Sequence, residues 1–431
     1  MKMESLIKRY LLLFLLITFG LTSCDKTFRI PRLYPWETYK DKVKGAWLGQ
    51  MVGVSFGEHF NLRWQNRMVP FEIDDYLMLR PDVVAKMNRT LKRNGARNWT
   101  TIQHQFIDNR ESWTTFTPQQ LVDKDDLFLE LLYLFTLNRL PLFAIQNRDF
   151  AEDWLEYLQT GKIWHASKAA HSNFSRGVWP PESGLPENNP HCEDVDFQIS
   201  SEIIGLVCPG LPKTSNIWSD QIGSLMCSGD GITGGTFVAG MITGAFFEDN
   251  VDSVVAWSLR CIPGTSTYAE VIREVIQLKN ANEDWQQTWQ AITEKWGEND
   301  TCPQGESGSF NVSARLNGAY VIIGLLYGKK DFGKTLEIVT RCGQNSEGNA
   351  ATAAGVLGCI LGADGIPEKW VASVKKVITN NAIREIYPNV ISVDELVNKI
   401  SGTGLKFVQH SGGKKIKKFK KEFIIIPYQI P

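Results

Sequence analysis

Apolar and small residues recur at helical spacing along most of this chain, and strand-like alternation is sparse until its end. In YPWETYKDKVKGAWLGQMVGVSFGEHF (34–60), Val43, Ala46, Trp47, Met51 and Val54 follow a helical repeat. DDLFLELLYLFTLNRLPLF (125–143) is strongly apolar and helical up to Pro141, with turn and start signals in the PQQLVDK that precedes it. SSEIIGLVCPG, VDSVVAWSLRCI and STYAEVIREVIQLKNAN predict further amphipathic helices, and residues 314–342 predict two more. Residues 61–118 are less regular. Only GLKFVQH and KKIKKFKKEFIIIPYQIP carry enough alternation for a small β-hairpin or edge strand. The expected fold class is therefore all-α, a compact multi-helix domain with a small β element at the C-terminus.

Three of the helical segments, GAWLGQMVGVSFG, GGTFVAGMITGAFF and AATAAGVLGCILGA, are built alike from Gly and Ala among larger apolar residues. Small residues at such spacing let helix backbones approach closely, and the charged flanks point to intimate packing rather than membrane spans. In CGQNSEGNAATAAGVLGCILGADGIPEKW (342–370), oxygen donors Asn345, Ser346, Glu347 and Asn349 run directly into the Ala/Gly helix. Oxygen ligands on a rigid core helix suit a hard divalent cation; a capped core helix with a polar loop explains the same residues. Residues 164–198, WHASKAAHSNFSRGVWPPESGLPENNPHCEDVDFQ, form a long Pro-, Gly- and Asn-rich loop whose Trp, His and Asp content speaks against disorder.

Composition narrows the class. Hydrophobic content of 43% and charged content of 22% fit a globular protein with a sizeable core, and a net charge of −1 argues against a nucleic-acid binder. The lysine run near the C-terminus reads as a solvated face. At the N-terminus, Lys2, Lys8 and Arg9 precede LLLFLLITFGL, and LTSC ends at Cys24. That is a secretory signal, too short to span a membrane comfortably, and Leu-Thr-Ser-Cys resembles the bacterial lipobox. The expected organisation is a lipoprotein signal peptide over 1–23, lipidation at Cys24, a tether over 24–34, the helical domain over 35–375 and a C-terminal extension over 376–431. The expected location is extracytoplasmic, anchored to a bacterial membrane through the lipid alone. Seven cysteines remain, an odd number with no zinc-type spacing, and most read as small buried hydrophobes.

Several acids could carry chemistry. Asp125 and Asp126 open a helix, where two carboxylates can reach one cation or simply favour the helix dipole. Glu193, Asp194 and Asp196 lie within four residues, so burying them requires a cation or protonation; helix capping on a solvated face explains the same residues without burial. Asp230 sits between glycines in SGDGITGG, as an Asx-turn cap or as a carboxylate brought close to a ligand. No repeated spacing links His165, His171 and His191, and each reads as structural or surface.

In order, KVKGAWLGQMVGVSFG (42–57), the Asp125-Asp126 pair, GDGITGGTFVAGMITGAFFE (229–248) and the 342–370 segment resemble the ADP-ribosylglycohydrolase family over roughly residues 35–375. The 164–198 loop looks like that of an extracytoplasmic bacterial subgroup. The resemblance implies an all-helical fold that hydrolyses bonds to ADP-ribose with a pair of divalent cations, usually Mg²⁺ or Mn²⁺. The family's hydroxyl-Asp-Asp motif falls on Lys124, Asp125 and Asp126, and its Asp-Thr-Asp run on Asn345, Ser346 and Glu347. The implied metal ligands are thus Asp125, Asp126, Asn345, Ser346 and Glu347. Lys124 stands where a hydroxyl ligand is usual, and Asn345 keeps only a neutral carbonyl, which points to one ion or a weakened pair.

The reaction so implied is hydrolysis of an N- or O-glycosidic bond of ADP-ribose or a related furanoside. Glu347, Asp126 or Asp230 would position or deprotonate a water. Asp194 and Asp196 match an acidic motif of the subgroup, and Trp164, His165 and Trp179 are placed to meet a small-molecule or glycan substrate. The competing class is a non-catalytic sugar- or nucleotide-binding lipoprotein on the same scaffold.

Overall fold

The computed structural model describes residues 30–73, 124–297, 312–372, 374, 377–379, 383, 386–387 and 390–431. It is mostly helical with a small strand element at the C-terminal end. The elements that position the cleft begin with strand β1 (Arg32–Pro35) and helix α1 (Trp36–Gly57). Helices α2 (Asp125–Arg139), α3 (His165–Ser175), α4 (Glu202–Val207) and α5 (Gly229–Ala245) follow. Helices α6 (Ala314–Gly328), α7 (Ser346–Leu361) and α8 (Val393–His410) complete the set. Cys24 and the rest of the expected signal segment lie outside the described residues.

The α1–α7 pair is the spine of the molecule. A Cβ at Gly45, Gly49, Gly53 or Gly57 would run into the carbonyl oxygen of Gly358, Ala354, Ala350 or Ser346, respectively. One number rises by four as the other falls by four, so the two helices lie antiparallel with their backbones in contact along the whole glycine stripe. This is the close approach expected from the small-residue pattern. Its consequence for the site is at one end. The last contact, Gly57 on Ser346 and Glu347, sets Glu58 just past the C-terminus of α1 beside the first turn of α7.

Short strands form two small sheets among the described residues. A two-stranded sheet joins β2 (Val377–Thr379) to β3 (Val390–Ser392). Strands β4 (Lys414–Lys418) and β5 (Lys421–Ile426) form a separate hairpin, turning through Phe419 and Lys420 with φ of 50° and 65°. β1 pairs antiparallel with β5, Arg32 opposite Ile426 and Pro35 opposite Phe423, so residues at the end of the expected tether are a strand of this sheet. GLKFVQH departs from its expected strand: it is the last part of α8. Leu396, Val397, Ile400, Gly404, Phe407 and Val408 are buried at three- and four-residue steps, so helical packing against the core outweighs local alternation.

Six cysteines, Cys192, Cys208, Cys227, Cys261, Cys342 and Cys359, are free and buried, in keeping with their reading as small hydrophobes. None of the described helices is long and apolar enough to cross a membrane.

Candidate active site

A cleft of about 390 Å³ opens where the N-termini of α2, α3 and α7 meet the C-terminal end of α1. One wall is made of Glu58, Asn61, Lys124, Asp126, Asn345 and Glu347; Trp164, His165 and Asp196 belong to the other.

The acidic wall follows from the local backbone. Gly343 and Gln344 take positive φ (84° and 57°), turning the chain sharply before α7. Asn317 fixes the turn, its Oδ1 accepting from the Asn345 amide at 3.1 Å and from Asn349 Nδ2 at 2.8 Å. Asn345 then caps α7, its Oδ1 accepting from the Gly348 amide at 3.2 Å. Glu347 falls in the first helical turn, where the helix dipole favours a carboxylate. On the cleft side it meets Lys124, whose Nζ lies 3.1 Å from Glu347 Oε1, 3.3 Å from Oε2 and 3.0 Å from Glu58 Oε1. Asn61 Nδ2 donates to Glu347 Oε2 at 3.0 Å. Burial pushes the Glu347 carboxyl above the usual range, against the pull of Lys124 and with a further push from Glu58. For Lys124 burial acts downward, but Glu347 and Glu58 outweigh it and hold the ammonium well above its ordinary value. The lysine is a permanent cation between two carboxylates.

On the other wall, Asp194 is fully buried and takes both histidines: His165 Nδ1 and His191 Nδ1 each lie 3.0 Å from its Oδ2. The imidazoles stack, with centroids 4.9 Å apart and planes 22° from parallel. Asp196 Oδ1 accepts from the Ser167 amide in the first turn of α3 at 2.9 Å. Burial raises the Asp196 carboxyl, reinforced by Asp194 and opposed by His165 and Ser167. Trp164, 51% exposed, stands edge-on to His165.

Of the expected site residues, Asp126, Asn345, Glu347, Trp164, His165 and Asp196 line this one cleft, and Asp194 supports it through His165. Others are placed elsewhere. Ser346 Oγ is buried and donates to the Thr340 carbonyl at 3.2 Å. Asp230 belongs to a separate polar cluster, with Oδ2 3.5 Å from Arg315 Nη1 and Oδ1 accepting from the Tyr268 amide at 3.3 Å. Its own amide donates to Glu193 Oε1. Trp179 stacks on Phe174 and lies under the Arg148 guanidinium. Asp125 starts α2, but its side chain lies outside what the structure describes.

Glu58, Asn61 and His191 were not among the expected site residues. Glu58 follows the glycine stripe directly, and the antiparallel register that pairs Gly57 with Ser346 is the signal that carries it to Glu347. His191 has no such signal, because its meeting with His165 spans a loop. His165 and His191 both read as structural or surface residues in the sequence, yet with Asp194 they form a group that could hold a metal ion.

A pair of hard cations, which the resemblance implies, does not fit the acidic wall. Ser346 does not line the cleft, Asn345 Oδ1 is held in the helix cap, and the Lys124 ammonium already bridges the two carboxylates. Such ions need several converging oxygens and are repelled by a fixed ammonium.

The ADP-ribosylglycohydrolase family model matches residues 35–403, and the chain belongs to that family. A solved structure described as an ADP-ribosylglycohydrolase-related protein complex resembles it at 13% identity, with a TM-score of 0.48, over 87% of this chain and 99% of the other. No match is found among curated protein sequences. Membership supports a glycohydrolase-type function, and the family is in general dependent on divalent metal.

Proposed function

We propose that the protein is a glycosidic hydrolase that cleaves an N- or O-glycosidic bond of ADP-ribose or a related furanoside. The observation that carries this reading is the convergence of Glu347 and Glu58 on Lys124 in one cleft that Asp126, Trp164 and Asp196 also line. Departure of the leaving group gives an oxocarbenium-like sugar, whose positive charge is stabilised by fixed carboxylates in a partly desolvated cleft. Asp126, 3% exposed and on the cleft wall, is the group proposed to orient and deprotonate the attacking water. Lys124 and Asn61 hold the Glu347 carboxylate in place. Trp164 offers an aromatic face for a base or sugar. Asp196, its carboxyl raised by burial, is suited to give a proton to the departing group.

The substrate is thus a small molecule or glycan rather than a nucleic acid. Lipidation at Cys24, which would tether the domain to a bacterial membrane outside the cytoplasm, is part of the same proposal and is tested by mass spectrometry of the mature N-terminus.

The catalytic reading is tested by release of free ADP-ribose or sugar from a panel of N- and O-linked ribofuranosides. Asp126→Asn is expected to lower kcat roughly 10²–10⁴-fold with the thermal melt preserved. Saturable binding without turnover by the wild type on the whole panel would instead establish the binding-protein alternative.

A further inference from the structure

The histidine wall has a donor set that the proposed hydrolysis does not use. His165 is the first residue of α3, and its imidazole is anchored by the helix; its side chain is 6% exposed. His191 arrives from the loop after α3, its carbonyl accepting from the Asp194 amide at 2.9 Å, which folds the ring back over the carboxylate. Asp194 is held from behind: the next residue, Val195, donates its amide to the Val312 carbonyl at 2.8 Å, and Asp194 itself pairs with Ser313 as an isolated bridge. One ligand atom from each of the three side chains lies within 4.8 Å of the others. The group borders a second pocket, about 510 Å³, whose walls include Trp164, Lys168, Ser172 and both histidines. His165 also lines the first cleft, so the two cavities share this ring.

We propose that His165, His191 and Asp194 form a binding site for a divalent transition-metal ion of the zinc or cobalt type. The chemistry selects the class. Two imidazole nitrogens and one carboxylate oxygen are a borderline donor set that favours Zn²⁺, Co²⁺ or Ni²⁺, whereas Mg²⁺ prefers oxygen ligands throughout. The spacing to the carboxylate agrees: each Nδ1 lies 3.0 Å from Asp194 Oδ2, and two donors that far apart subtend roughly 90° at an ion about 2.0–2.1 Å from each. Each neutral imidazole can carry its proton on Nε2 while Nδ1 takes the ion, and the buried carboxylate supplies the compensating charge. Three protein ligands leave further positions toward the pocket for water or a ligand oxygen, the pattern of an open rather than a structural site. None of the three ligands belongs to the acidic wall, and the site is tested by metal binding alone, without the reaction proposed above.

Titration of the full chain with Zn²⁺ by calorimetry, and with Co²⁺ by visible absorption, tests it without any activity assay. The expected result is one ion per chain, a Co²⁺ spectrum displaced by Zn²⁺, and no comparable response to Mg²⁺. His191→Ala removes a ligand at the rim and is expected to weaken Zn²⁺ binding by at least roughly 10–100-fold, the loss that even an outer-sphere partner causes. Thermal melts supply the control for folding: at one Zn²⁺ concentration the Tm of the wild type rises by mass action and that of His191→Ala rises less, while without metal the variant still melts cooperatively. Asp126→Asn is expected to keep full Zn²⁺ binding. Absence of saturable binding, or binding that survives His191→Ala and is lost in Asp126→Asn, would overturn the assignment.

Discussion

The two walls of the cleft solve the same electrostatic problem with opposite parts. On one, buried Glu347 and half-buried Glu58 are neutralised by the Lys124 ammonium, which belongs to the chain and cannot leave. On the other, buried Asp194 is met by two imidazoles, whose protons are exchangeable and whose nitrogens can coordinate. The Lys124 ammonium therefore opposes a pair of hard cations on the acidic wall, whereas the imidazole nitrogens of the histidine wall are of the type that suits softer ones. What distinguishes them is whether the neutralising group is a fixed charge or a titratable ligand.

The strongest way to break this contrast is Lys124→Ser, which puts a hydroxyl at the start of α2. Removing one partner of a buried pair commonly costs about 3–5 kcal/mol, because the remaining charges are left uncompensated. Glu347 is 5% exposed but Lys124 and Glu58 are more open, so an effect near the lower end of that range is expected in metal-free buffer. The same change leaves Glu58, Asp126 and Glu347 lining a cleft without its ammonium, so millimolar Mn²⁺ or Mg²⁺ is expected to recover much of the lost Tm. Thermal melts with and without the ions decide it. A variant that loses stability but ignores both ions would show that the lysine is not what excludes them.

That expectation was within reach of the sequence, and its basis shows which parts of the site were legible. Lys124, Asp126, Asn345 and Glu347 all lie at helix N-termini, and their convergence was implied by the family resemblance, whose ordered motifs join 124–126 to 345–347; helical periodicity alone does not bring the two segments together. Asp230 also lies at a helix N-terminus, yet its partner Arg315 comes from a helix far away in the sequence, and this pairing takes it to a different cluster. His191 and Asp194 lie in a loop with no period to read; only the bridge to Ser313 and the packing of α3 bring them under His165. GLKFVQH misled because its alternation is short, and burial over the whole of α8 decided the conformation. The helical fold was legible because core helices repeat their pattern over many turns, whereas the histidine wall depends on tertiary packing that leaves no period behind.

A smaller effect sharpens the comparison by adding a third means of neutralisation, a shared proton. Glu130, one turn beyond Asp126 on α2, and Glu202, the first residue of α4, are 0% and 1% exposed. Glu130 Oε1 accepts from the Ile203 amide at 2.8 Å, and Glu202 Oε1 from Thr352 Oγ1 at 2.6 Å. Burial, then mutual repulsion, holds Glu130 well above its ordinary value, and burial pushes Glu202 up to about 7. The folded state therefore binds more protons than the unfolded chain. This stabilisation is fully present below the ordinary glutamate value near 4.5 and is lost as pH rises through about 7, with a limiting slope of about 1.4 kcal/mol per pH unit for one proton. Chemical denaturation between pH 4.5 and 8 is expected to show falling stability in this component, and Glu202→Gln to flatten it. An unchanged profile in the variant would remove the shared proton from the account.

The smallest expected effect lies at the mouth, where the two walls meet solvent. Trp164 is 51% exposed and contributes its edge to His165, so Trp164→Ala removes little buried area and is expected to shift the Tm only marginally. Its role under the proposed reaction is to offer a face to a base or sugar, and stacking of this kind is worth about 1–3 kcal/mol per base. For an O-linked substrate whose base lies away from the bond being broken, the ring binds ground state and transition state alike. The loss should then appear in KM, roughly 5–100-fold, with kcat nearly unchanged. Steady-state kinetics on a ribofuranoside that carries a base, compared with one that lacks it, separates the cases. If Trp164→Ala affects both substrates equally, the ring touches the sugar common to both. If it lowers kcat with KM constant, the residue acts through His165 on the reacting groups, and the two walls are coupled more tightly than their separate hydrogen bonds indicate.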